Sequence, residues 1–434
     1  MRTARWLVCG SLLCGWGSVE EQRATAARPV QSSVLVERTV FGRALRGNQF
    51  AEPLHRKILV YLPPGYHAPP NRHRRYPVVY LLAGLGGDHR NFAADGTPNR
   101  MAAGRPQMIG LGLDMQEIAD RLVASNAIDE AILVGVSGMN TLSDHWFACS
   151  ELIGDYRSHV ARDIVRYVDR NFRTRRNRNH RALIGHSSGA FGALSLAIEY
   201  PHTFGAVAIL GPAGNDLAAT VPPSALPRLL QLFLLANPTA IGDPVLMPVD
   251  GRPIPDGPFW ELWGTTPAGG KFIHNAIFSL AGAYSPNPNN PPFLVDLPVM
   301  YPGQALVQPT LDLWLDDDLV SQVTEAAGNL ASTPVYLHRG IGPTVLHPEV
   351  GDIPLLRNAF INSGVAHTFE ELPGDHFTSL PRALANALTF VLNNLGTQDG
   401  EVVYDGTQRR KHIACRQALR NNWDDDEDVD PDGE

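Results

Sequence analysis

The chain has 434 residues, 44% hydrophobic and 18% charged, which is enough to bury a large core and too apolar for a disordered chain. Its net charge is −8, and the last eleven residues, Asp424 to Glu434, carry eight acids and no base. The body is therefore close to neutral and has no charge signature of nucleic-acid binding; the cluster Arg175-Arg176-Asn177-Arg178 reads as a solvated loop before a strand.

In chain order, Arg2 and Arg5 precede an uncharged, mostly apolar stretch from Trp6 to Val19, and polar residues follow from Glu20. That layout is an export signal, too short to span a bilayer. It predicts a leader over residues 1–27, cleavage between Ser18 and Ala27, and a secreted or periplasmic protein. No other stretch is long and apolar enough for a membrane span. Cys9 and Cys14 would leave with the leader, and Cys149 and Cys415 would remain, either paired or free.

The body, residues 28–396, reads as one α/β unit. Val34 to Val40 predicts an early strand, and Arg56 to Leu62 a second that runs into the stiff turn Pro63-Pro64-Gly65-Tyr66. Tyr76 to Leu82 is a continuous apolar run, as in a strand covered on both faces, and ends in Ala83-Gly84-Leu85-Gly86-Gly87. Met115 to Ala124 predicts a helix and Ala131 to Val136 another buried strand. Arg157 to Phe172 has Val160, Ile164, Val168 and Phe172 at four-residue spacing, an amphipathic helix. Arg181 to Ile184 is a short strand, Ala190 to Tyr200 a helix and Phe204 to Leu210 the next strand. This alternation implies a mostly parallel sheet with right-handed crossovers and helices on both faces.

The pattern breaks over residues 211–310, rich in Pro, Gly and Asn. Phe259, Trp260, Trp263, Phe272, Phe278 and Tyr284 argue for order there, and the segment reads as a cap insertion whose aromatics form its own core. Leu319 to Leu330 returns to helix, Pro334 to His338 to strand, Ile353 to Ser363 to helix and Ala366 to Leu372 to strand, with Leu380 to Leu395 a closing amphipathic helix. The tail, residues 397–434, has a basic piece, Arg409 to His412, before its acidic end and is expected to fray.

One junction in this order carries chemistry. Gly185-His186-Ser187-Ser188-Gly189 lies between a strand and a helix and fits the G-x-S-x-G elbow, which forces the central serine onto a strained turn with its hydroxyl exposed. The helix start points free N–H groups at the place where an oxyanion would form, and the glycine-rich loop after Leu82 supplies a second donor, the Leu85 amide, beside that of Ser188. A serine hydroxyl needs a base and a group that orients the base. His376 follows the last predicted strand on a Pro-Gly turn and is the candidate base; His186, adjacent to Ser187, points away from it, and His180, His202, His338 and His347 read as structural. The acid belongs on the loop after Pro334 to His338, where Glu349 and Asp352 are the only carboxylates. Asp352 directly precedes a helix and has another job as its N-cap, so Glu349 is preferred and Asp352 is the alternative.

The chain resembles the esterase family of the α/β hydrolases, which includes feruloyl esterases, siderophore esterases, S-formylglutathione hydrolases and mycolyltransferases. The matching stretches are Val60 to Tyr66, Tyr80 to Gly87, the elbow, Tyr200 to Gly205 and Gly364 to His376. The resemblance implies an α/β-hydrolase fold, Ser187 as nucleophile, His376 as base and the Leu85 and Ser188 amides as oxyanion hole. It departs from the family at Ala83, where His or Asp is usual, and at Pro343, which stands in the usual register of the acid; alignment on Asp352-Ile353-Pro354 brings Glu349 near that position. The expected activity is hydrolysis of a small-molecule or carbohydrate-linked carboxylic ester through an acyl-enzyme, with no metal or cofactor. Acyl transfer to an alcohol, and a binding protein on a hydrolase scaffold with a degraded triad, are the rival readings.

Overall fold

A computed structural model of the chain describes residues 32–93, 113–215, 272–300, 305–342, 352–397 and 402–422. Eight strands form one sheet: β1 (Val34–Phe41), β2 (His55–Leu62), β3 (Val78–Leu82), β4 (Ile132–Val136), β5 (Arg181–His186), β6 (Ala206–Leu210), β7 (Val335–Gly340) and β8 (His367–Leu372). Their spatial order is β1-β2-β4-β3-β5-β6-β7-β8. β2 runs antiparallel to both β1 and β4, and every other pair is parallel. Reversal of order at β3 and β4 puts a topological switch point beside β3, where open α/β sheets bind ligands at the carboxyl ends of their strands.

The apolar runs form strands because both faces are covered. Val78, Tyr80 and Leu82 of β3 join one core cluster, and Val79 and Leu81 the opposite one. The first face packs under α3 (Ser188–Glu199), through Leu194 and Ile198, and under the helical run that ends in α2 (Val165–Asn171). The second face packs under α1 (Met115–Ala124), through Met115 and Ile118, and α8 (Leu380–Asn394), through Leu384, Leu388 and Val391. α1 starts where Asp114, as N-cap, accepts the Gln116 amide at 2.8 Å. The predicted Arg157 helix begins at Tyr156 and contains a wide π-type stretch, His159–Ile164, before α2; Val160, Ile164 and Val168 are buried as expected.

Within 211–310, residues 216–271 lie outside the described residues, and so do Phe259, Trp260 and Trp263. The described part includes α4 (Phe272–Tyr284), whose Ile277, Phe278, Leu280 and Ala281 join the same core as the sheet. This part is a continuation of the main core, because α4 is apolar on most of its circumference.

The tail differs from the expected fraying. Residues 402–422 form α9 (Thr407–Lys411) and α10 (Ile413–Asn421) against the body; the acidic end lies outside the described residues. The reasons are covalent and electrostatic. Cys149 and Cys415 form a disulfide across 266 residues. Arg416 of α10 donates to Asp155 at 2.8 Å and to buried Glu199. Closing so long a loop stabilises by up to about 5 kcal/mol on chain-entropy grounds, with about 2–4 kcal/mol typical. The Cys149→Ser/Cys415→Ser double variant is therefore expected to unfold about 2–4 kcal/mol more easily in urea than the oxidised protein, and added reductant is expected to lower the wild type toward it.

Candidate active site

The sequence motifs converge at the carboxyl ends of β3, β4, β5 and β8. Ser187 is the N-cap of α3, with φ 59° and ψ −123°, a left-handed conformation that costs a non-glycine residue about 1–3 kcal/mol. The flanking glycines are required by close approach. A Cβ on Gly185 would lie 1.9 Å from the Gly189 carbonyl oxygen, and one on Gly189 would lie 2.2 Å from that of Leu82. The turn is held by the Ser187 N–H donating to Leu210 of β6 at 3.0 Å and by the Ser187 carbonyl accepting from Ala190 at 3.0 Å.

The loop after β3 lies directly over Ser187: a Cβ built on Gly84 would stand 2.9 Å from the Ser187 Cβ and 3.6 Å from its Oγ. Gly87 N–H donates back to Gly84, and Gly86 N–H to Ser143, at 2.8 and 3.1 Å. The Leu85 amide has no hydrogen-bond partner among the described residues, and the Ser188 amide, first in its helix, has no intrahelical acceptor. His89 and Arg90, just beyond the glycines, anchor the loop to β1 through Glu37, each at 2.8 Å.

His376 follows β8 and is buried. Its loop is shaped by Gly374, at φ 105°, and by Asp375, whose Oδ1 accepts the Phe377 and Thr378 amides. His186, set aside as a base from sequence, fixes this loop: its Nε2–H donates to the His376 carbonyl at 3.1 Å, and the two rings lie 4.3 Å apart. The elbow and the His376 loop are thus in direct contact. His338, on β7, is buried, and burial followed by the neighbouring His186 takes its pKa down to about 3, so the ring is neutral. Glu349 and His347 lie outside the described residues, and Asp352, expected just before a helix, is the first residue of α7 (Asp352–Asn362). Among the described residues no group of three or more His, Cys, Asp or Glu could hold a metal ion, and no helix is long and apolar enough to cross a membrane.

Sequence reasoning missed the segment after β4. Residues 137–148 are buried throughout, and Ser143, Trp146 and Phe147 all have positive φ, at 88°, 49° and 50°. Asp144 in its middle is fully buried and accepts the Ser188 hydroxyl at 2.6 Å and the Trp146 amide at 2.6 Å. His145 is held neutral by burial: its Nδ1 accepts from Phe147 and its Nε2–H donates to Ser137. The available signal was positional, a run of polar residues directly after a central strand at the switch point.

Burial raises the Asp144 pKa to about 7, against the bonds from Ser188 and Trp146 that lower it. The sign follows directly. The folded chain holds a proton that the unfolded chain releases near pH 4, so Asp144 makes stability fall as pH rises from about 4 to about 7, by at most about 1.4 kcal/mol per unit. Asp144→Asn should remove that slope. Its melting temperature relative to wild type is expected to be higher at pH 8 than at pH 4.5, by thermal scans at both.

Residues 53–351 match the family described as Putative esterase. The chain belongs to that esterase family. A ferulic acid esterase of known structure superposes with a TM-score of 0.52 at 19% identity, over 84% of this chain and 99% of its own, which identifies a shared α/β-hydrolase fold. An S-formylglutathione hydrolase from Agrobacterium tumefaciens aligns with a TM-score of 0.48 at 13% identity, over 85% of this chain and 98% of its own. FphF, a fluorophosphonate-binding serine hydrolase of Staphylococcus aureus, aligns with a TM-score of 0.48 at 13% identity, over 83% and 99%.

Proposed function

We propose that this member of the esterase family is an exported serine carboxylic-ester hydrolase. Ser187 Oγ attacks the ester carbonyl, and His376 takes its proton. The Leu85 and Ser188 amides hold the oxyanion, and His376 returns the proton to the leaving alcohol. Water, activated by the same imidazole, then releases the acid from the acyl-enzyme. Glu349 orients His376, with Asp352 the alternative. The observation that carries the reading is the left-handed Ser187 backbone at a strand–helix junction, under a loop whose Leu85 amide has no hydrogen-bond partner among the described residues. Export is supported by the apolar stretch Trp6 to Val19 and by the Cys149–Cys415 disulfide, since such bonds persist in oxidising compartments.

The test uses the oxidised protein. A fluorophosphonate probe should label it at one tryptic peptide, the one containing Ser187, and the label should track the loss of nitrophenyl-ester hydrolysis. Glu349→Gln should lower turnover more than Asp352→Asn. Protein that is folded, unlabelled and inactive on short-chain and aryl esters would favour the binding-scaffold reading instead.

A further inference from the structure

We infer that Asp144 is a positioning residue of the oxyanion hole, holding Ser188 in place through the hydrogen bond between its carboxyl group and the Ser188 hydroxyl. The inference rests on the reading of Ser187 as nucleophile. Ser188 is the residue whose amide faces the oxyanion, and its hydroxyl reaches Asp144 Oδ2 at 2.6 Å, with both side chains fully buried. The other carboxyl oxygen accepts the Trp146 amide at 2.6 Å. A single carboxyl group therefore ties the start of α3 to the segment after β4.

The same segment holds the opposite wall. The carbonyl of Ser143, next to Asp144, accepts the Gly86 amide, which fixes the peptide following Leu85. Ser143 and Asp144 thus fasten both sources of oxyanion donors to one piece of chain. That piece is itself over-determined. The Trp146 indole donates to Ser279 of α4 at 2.9 Å, Asn275 of α4 donates to the Ser143 hydroxyl, and His145 N–H donates to Gly138 at 3.0 Å. Three positive-φ residues that are not glycine surround Asp144, a concentration of strain that only a fixed environment sustains.

The choice of residue points the same way. Among the described residues no cation contacts Asp144, so its burial is costly and no ion pair offsets it. What it gains is two short hydrogen bonds, one of them to the residue that follows the nucleophile. An oxyanion donor acts only within about 2.7–3.1 Å of the developing charge, and losing one costs about 10²–10³-fold in kcat. Loosening one rather than deleting it should cost less, on the order of 10- to 100-fold.

The experiment is a double-variant cycle on nitrophenyl-ester hydrolysis, with KM, kcat and the Ki of an aryl boronic acid, whose tetrahedral adduct places an oxygen in the hole. Asp144→Ala and Ser188→Ala are each expected to lower kcat about 10- to 100-fold and to raise Ki in step, with KM changed less than about threefold. The double variant should be no worse than Asp144→Ala alone, because the bond that Ser188→Ala removes is already lost there. Asp144→Asn, which keeps an acceptor for Trp146 and a polar partner for Ser188, should restore kcat to within about fivefold of wild type. Effects of Asp144→Ala and Ser188→Ala that multiply, or a Ser188→Ala variant with wild-type kcat and Ki, would overturn the inference. Should Asp144→Ala not fold, Ser188→Ala and Asp144→Asn decide it alone. Ser187→Ala in the same series separates the two levels: hydrolysis that survives it refutes the nucleophile and this inference together, whereas hydrolysis that needs Ser187 but ignores Ser188 refutes only the latter.

Discussion

Ser187→Ala is expected to lower kcat for ester hydrolysis by on the order of 10⁴–10⁶-fold and to abolish fluorophosphonate labelling, while leaving KM within a few-fold. The size follows from the division of labour. In the proposed mechanism the hydroxyl is the attacking group, so no acyl-enzyme would form without it, while the Leu85 and Ser188 amides would still polarise a bound carbonyl and sustain a small residual rate. Stability should move in the other direction for a related change. Ser187 sits at φ 59°, where alanine remains strained and glycine does not. Ser187→Gly is therefore expected to be about 1 kcal/mol more stable than Ser187→Ala, with equal loss of activity. Urea unfolding of the two variants beside turnover assays checks both statements. Equal activity in wild type and Ser187→Ala would end the assignment.

What made the elbow legible is that its determinants are local. Gly185, Ser187 and Gly189 are spaced by the geometry of one turn, and the flanking strand and helix announce themselves by apolar periodicity. The central strands were equally readable, because burial on both faces leaves continuous apolar runs such as Val78–Leu82. Asp144 was not, since its partner Ser188 is 44 residues away and nothing in Ser143-Asp144-His145 signals that the loop turns inward. Arg157 was read as part of an amphipathic helix, whose polar face usually meets water; here that face meets the tail and Asp317. The docking of residues 402–422 depends on contacts across more than two hundred residues, which no periodicity encodes.

Arg157→Met is expected to destabilise the protein by about 3–5 kcal/mol, because it leaves buried carboxylates without a main counter-charge. Arg157 is fully buried and donates to the Phe147 carbonyl at 3.1 Å, to Asp317 and to Glu199, and it contacts His412 at 3.0 Å. Burial alone would raise the pKa values of Glu199 and Asp317. The His412 bond with Arg157 and Arg416 overcomes this at Glu199, and Arg157 with His412 does so at Asp317, so both stay below the ordinary carboxylate range. His412 is pushed down by burial and by Arg157, but the neighbouring carboxylates of Asp317 and Glu199 raise it above its usual 6.5. The signs then fix the pH window. The lowered carboxylates stabilise the fold above their usual values near 4 and lose that contribution as pH falls through their folded values. The raised imidazole stabilises below about 6.5 and loses its contribution as pH rises through its folded value. Without Arg157, protonated His412 is the nearest remaining compensation for Asp317, and Arg416 for Glu199. The penalty of Arg157→Met is accordingly expected to be larger at pH 8 than at pH 6 in urea unfolding, and Glu199→Gln added to it should cost less than the sum of the single changes. Because Arg157 also holds Phe147, in the segment that carries Asp144, ester hydrolysis by folded Arg157→Met should fall as well, through kcat more than KM.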